Sequence, residues 1–213
     1  MKYTQRASGI IEAMVVLLLL TVWITWVYSI LSSSQKLSNS TALRIEAIQI
    51  ARDGLEAMTN IRNTNWIEFW GDIRNCWNTL NYNSGCIWDT VKNITNYIHH
   101  WPGQWLRISK DPTWVKFFIG LQAYDAWIIS NAVYSNTLYR QNFWVHKNSE
   151  WFYVQNLISD PNSRFTREVR INYLNENNIA QWSTAINEPK MELTVIVQWW
   201  DPAVEGFRVL EVR

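Results

Sequence analysis

Between Ile10 and Leu31 the chain carries a single charged residue, Glu12, in a run of about 22 otherwise uncharged, mostly apolar residues. As a helix such a run spans roughly 33 Å, enough to cross the hydrocarbon core of a bilayer. It exceeds the apolar stretch of about 7 to 15 residues in a secretory signal, and no A-x-A-like site occurs in Ser29 to Ser34. The expectation is therefore a membrane helix that stays with the protein. Lys2 and Arg6 precede the run and the next charge is Lys36, a bias that places the N-terminus in the cytoplasm and the rest outside.

Glu12 is the costly member of this segment. On insertion scales an acidic residue at the centre of a membrane helix costs about 2.5 to 3.5 kcal/mol. Two readings stay open at this point. Glu12 has a partner, or it lies at the helix entrance near the headgroups, where the N-terminal dipole favours an anion.

The residues around it resemble a known family. Ala7-Ser8-Gly9-Ile10-Ile11-Glu12 is similar to the class III signal of type IV pilins and pseudopilins, and Glu12 to Val22 is closer still to the V-type minor pilins of type IV pili. The likeness covers about the first 60 residues. It implies that a prepilin peptidase cuts between Ala7 and Ser8, ahead of Gly9, so that Glu12 becomes the fifth residue of the mature chain. Where the family has Gly before the cut and a large apolar residue after it, this chain has Ala7 and Ser8. The resemblance also implies that Glu12 meets the new amine of Ser8 on a neighbouring subunit. In an apolar filament core the low dielectric strengthens that attraction and makes mispairing expensive. Implied partners are other pilin subunits, the peptidase, the inner membrane before assembly, and the pilus assembly platform. A pseudopilin of a type II secretion apparatus shares these features, and an uncleaved membrane-anchored binding or hydrolytic domain is the alternative from another class.

Beyond the membrane run, Ile45, Ile48, Ala51, Leu55, Met58 and Ile61 recur at spacings of three or four between polar residues, the mark of an amphipathic helix. No proline occurs before position 102, so one helix over about 9 to 62 is predicted, its outer half packing on a head domain. Asparagine, Thr, Ser and Gly then crowd from Asn60 to Asn96 and suggest loops with short elements. Within them lie the only cysteines, Cys76 and Cys86, too few for a zinc site made of cysteine alone. Outside a bacterial membrane they can form a bridge; the alternative is two buried thiols. The C-terminal third reads as strands: a hairpin over Asn142 to Val154, then Arg164 to Leu174, Leu193 to Trp199 and Phe207 to Val212. The predicted class is α+β, a long N-terminal helix on an antiparallel sheet as in pilins. Its segments are a leader (1–7), a membrane helix (8–32), its amphipathic continuation (33–62), a loop-rich αβ region (63–141) and the sheet (142–213).

Other chemistry is thinly represented. Hydrophobic residues make up 48% and charged residues 17%, enough apolar material for a core, and a net charge of +1 argues against a general polyanion binder. The three histidines, His99, His100 and His146, have no neighbouring metal set, and no nucleophile or phosphate-loop motif occurs. Neither an enzyme nor a cofactor is expected. Asn39-Ser40-Thr41 and Asn93-Ile94-Thr95 fit glycosylation sequons and read as plain polar positions. Arg164, Arg167 and Arg170 form a basic strip that could meet DNA, but their alternation with apolar residues fits a solvated sheet face better.

Tryptophan occurs 15 times and glycine 7 times, although ordinary usage puts glycine at about 7% of residues, roughly 15 here. Trp23 and Trp26 fall where the V-type pilin helix carries glycines. Some bacteria read UGA as glycine, and such a gene translated with UGA as tryptophan would produce this skew. Trp88, Trp101 and Trp182 stand in polar surroundings where indoles are unexpected, whereas Trp66 and Trp199 read as true tryptophans. The alternative is a Trp-rich protein with indoles at the membrane interface or on an adhesive surface.

Overall fold

A computed structural model describes residues 4–99, 104–110, 116–123, 143–147, 153–155, 164–182 and 184–213; the side chains of 4–8, 104–105, 121–123, 147 and 154 lie outside the description. Helix α1 runs unbroken from Thr4–Glu68, 65 residues and about 100 Å long. It passes the expected end at position 62 by almost two turns. A short helix α2 (Ile73–Cys76) and several 3-10 turns follow.

Five strands make an antiparallel sheet: β1 (Gln104–Lys110), β2 (Phe117–Ala123), β5 (Phe165–Leu174), β6 (Lys190–Asp201) and β7 (Gly206–Val212), in the order β2-β1-β5-β6-β7. The helix-plus-antiparallel-sheet class expected from sequence is present. The sheet begins earlier than expected, because β1 and β2 come from the region read as loop-rich. Two short strands, β3 (His146–Lys147) and β4 (Tyr153–Val154), pair antiparallel as the expected hairpin does; its turn at 148–150 lies outside the described residues. Trp144 bridges Thr166 and joins this hairpin to the start of β5.

The outer half of α1 lies across the sheet, mainly on β6. Its buried stripe is Leu43, Ala47, Ile50, Ala51, Ala57, Met58 and Ile61. Of the stripe expected from sequence, Ala51, Met58 and Ile61 are buried and Ile48 and Leu55 half-buried, while Ile45 is exposed and Leu43, Ala47 and Ile50 line the core at that level instead. Small side chains bring the helix close to the sheet. A Cβ at Gly54 would sit 3.1 Å from Arg167 Cδ and 3.2 Å from Val195 Cγ1, so helix and sheet approach closely there and a larger residue would need these side chains to give by a few tenths of an ångström. From the sheet, Val169, Ile171, Tyr173, Val195 and Val197 complete a core that also holds both cysteines.

Arg167 departs from the expected solvated face. It is 1% exposed and lies under α1, on the side of β5 that carries Phe165, Val169, Ile171 and Tyr173. All five positions are odd, and side chains in a strand alternate with period two, so parity puts this arginine inward. Arg170 is partly exposed and paired with Glu168, so the three arginines do not form one strip.

Candidate assembly helix and the head that carries it

From Ile10 to Leu31 the large apolar side chains are 52% to 72% exposed, and none of the described residues of the head covers them. Both threonines inside this run, and Ser33 just beyond it, bond back to the helix. Thr21 Oγ1 donates to Leu18 O (2.8 Å), Thr25 Oγ1 to Val22 O (2.8 Å) and Thr21 O (3.0 Å), and Ser33 Oγ to Ser29 O (2.9 Å). Such back-bonding lets hydroxyls sit in hydrocarbon without an unmet donor. The helix is therefore long and apolar enough to cross a membrane. Glu12 is exposed on it, one helical turn from Ser8. Ala7 and Ser8 belong to the helical backbone, and their side chains, with all of residues 1–3, lie outside the described residues.

Polar contacts fix the head to the other half of α1. The Arg167 guanidinium donates from Nη1 to Asp53 Oδ2 (3.2 Å) and Ile50 O (3.4 Å), from Nε to Gln155 Oε1 (3.3 Å), and from Nη2 to Tyr153 O (3.3 Å). Burial pushes the Asp53 carboxyl up and the guanidinium down from their ordinary values, while the opposite charge of each holds the other ionised. Nearer the apolar half, Ser40 Oγ donates to Asp201 Oδ2 (2.6 Å). That bond, with the Ala203 N–H and Arg208, holds the Asp201 carboxyl below its ordinary range. At the far end Lys116 pairs with Glu68.

The outer end of the head is built on asparagine. Asn65 Nδ2 donates to Thr79 O (3.0 Å), Asn78 Nδ2 to Tyr173 Oη (2.9 Å), and Asn83 and Asn93 each accept a backbone N–H two residues on. These side chains supply the turn bonds that a loop-rich stretch cannot draw from helix or sheet. Cys76 and Cys86 form a disulfide across this region, and both are buried. By loop entropy a bridge over so short a loop contributes about 2 to 3 kcal/mol. Replacing both cysteines by alanine should lower the unfolding free energy of the full chain in detergent by about that amount, as measured by urea denaturation.

An opening of about 810 Å³ lies beside this end, lined by Arg62, Trp66, Arg74, Trp77, Lys92 and Glu188 among others. Arg62 stacks on Trp66, and burial together with nearby Arg74 pushes Lys92 below its ordinary value. Among the described residues no three His, Cys, Asp or Glu side chains converge as a metal set. His99 is buried with Nδ1 2.8 Å from Tyr97 O, His146 is partly buried, and His100 lies outside the described residues.

The sequence reading missed the Arg167–Asp53 pair and the Gly54 contact. Parity along β5 was the available signal for the first. For the second, Asp53-Gly54 lies on the turn between Ala51 and Ala57, where small residues mark close approach. Searches of protein-family models, curated proteins and solved structures find no match to this chain.

Proposed function

We propose that the chain is a minor pilin of a type IV pilus, a structural subunit that waits in the inner membrane and is then built into a surface filament or primes one. The observation that carries this reading is the division of α1. One half is clamped to a folded head, and the other is apolar on every side, with one carboxylate near its start. An anchor with no further task has no use for that carboxylate. A subunit that moves from lipid into a helical bundle does, because lipid and the apolar faces of neighbouring helices satisfy the same surface in turn.

In this reading prepilin peptidase removes Met1 to Ala7 and the Ser8 amine is methylated. Side chains in a helix tilt toward its N-terminus, so Glu12 reaches back toward the level of that amine. Within the filament the carboxylate meets the amine of a neighbouring subunit and sets the axial register between them. The head stays outside the membrane throughout, consistent with its disulfide.

Purified surface filaments from the native cell should contain peptides of residues 33–213. Finding the protein wholly in the inner membrane of filament-bearing cells would count against the reading.

A further inference from the structure

Among the described tryptophans of the head two are packed and three stand in solvent, with Trp66, Trp144 and Trp200 between these extremes. Trp199 is 5% exposed with its ring 6.2 Å from Phe165, and Trp77 packs against the core edge-on to Tyr173 at 6.3 Å. Trp70, Trp88 and Trp182 are instead 80%, 78% and 78% exposed. An indole so placed gains almost nothing from burial.

Trp88 carries a second and independent signature. The N–H of Asp89 donates to Cys86 O at 3.2 Å, closing a turn over Ile87 and Trp88. Ile87 has φ −67° and ψ 121°, and Trp88 has φ 58°. These are the angles of a type II turn, whose third residue needs positive φ and is ordinarily glycine. Surrounding groups impose the conformation: the Trp88 N–H donates to Asp72 Oδ2 at 2.9 Å, and the neighbouring Cys86 is held by its disulfide. Among the described residues six other than glycine take positive φ, Trp88 being the one tryptophan, whereas none of the six described glycines has φ between +20° and +160°. A chain with 15 tryptophans and 7 glycines thus puts an indole at a glycine position and leaves it in solvent.

We infer that positions 70, 88 and 182 are glycine in the producing cell, specified by UGA in a code that reads this codon as glycine, while Trp77 and Trp199 are tryptophans specified by UGG. Position 88 stands on its turn geometry and owes nothing to the pilin reading; positions 23 and 26 join the glycine class only through the family resemblance. The exposed indoles at 70, 88 and 182 are then no adhesive aromatic surface.

The gene decides the assignment: UGA at 70, 88 and 182 with UGG at 77 and 199 is expected, and UGG at 88 overturns it. Peptide masses from the native protein give the same answer independently, each recoded position being lighter by the difference between tryptophan and glycine. In recombinant chain carrying all the tryptophans, Trp88→Gly should raise the urea midpoint and Trp77→Gly should lower it. A fall in midpoint for Trp88→Gly would show that the turn prefers the indole and would contradict the inference.

Discussion

Glu12→Gln should leave the protein in the membrane and remove it from the filament. Glutamine is nearly the same size and lacks the charge that costs about 2.5 to 3.5 kcal/mol at the centre of a membrane helix, so insertion is at least as easy. In the assembled bundle the change leaves the Ser8 amine of a neighbour without its counter-charge. Breaking a buried pair in this way costs about 3 to 5 kcal/mol, which corresponds to a loss of incorporation of roughly a hundredfold or more. Quantifying the protein in sheared filaments and in inner membranes, for the native chain and the variant, separates the two effects. Equal incorporation of both would remove the pairing hypothesis while leaving the membrane helix intact.

Arg167→Ala should be the most destabilising single change in the head. It deletes a fully buried guanidinium that ties Asp53 and Ile50 of α1 to Gln155 and Tyr153 beside β5, and it strands the Asp53 carboxylate. The expected loss is about 3 to 5 kcal/mol near neutral pH. Its pH dependence follows from Asp53, whose folded pKa already lies above the ordinary 3.8 because of burial and would rise further without Arg167. A carboxyl with a raised folded pKa binds its proton more tightly in the folded state, so its contribution is greatest at low pH and is lost as pH rises through the folded value. The variant's deficit should therefore be smaller near pH 4 than at pH 7 in urea denaturation. Replacing Asp53 by leucine together with Arg167 by methionine should recover part of the loss, since an apolar pair avoids the stranded charge.

These two residues show how unevenly the structure could be read from sequence. Glu12 is conspicuous because one charge interrupts about 22 residues of apolar helix, and an uncompensated charge there is expensive whatever the tertiary fold. Arg167 is inconspicuous because arginine ordinarily lies outside; only its odd-numbered position between Phe165 and Val169 reveals the inward face. The amphipathic stripe of α1 was legible at Ala51, Met58 and Ile61, which are buried, but not at Ile45, which is exposed. Ala47, Gly54 and Ala57 are weak hydrophobic signals, and they complete the buried face because the sheet approaches closely there, a tertiary effect. Strands β1 and β2 were missed for a related reason: β2 runs Phe117-Phe118-Ile119-Gly120 without alternation, and Gly120 stands opposite Arg107, whose guanidinium lies 3.2 Å from where a Cβ would be. The Cys76–Cys86 pairing follows from there being only two cysteines once oxidation is assumed.

A pilin is defined by processing at the start of its helix, and the N-terminus of the native protein tests that most directly. Mass analysis of the N-terminal peptide isolated from the producing cell should show a chain beginning at Ser8, its amine carrying a methyl group, with Lys2 and Arg6 gone. A chain that retains Met1, or one cut near Ser34, would contradict the pilin assignment and leave an anchored or secreted domain in its place.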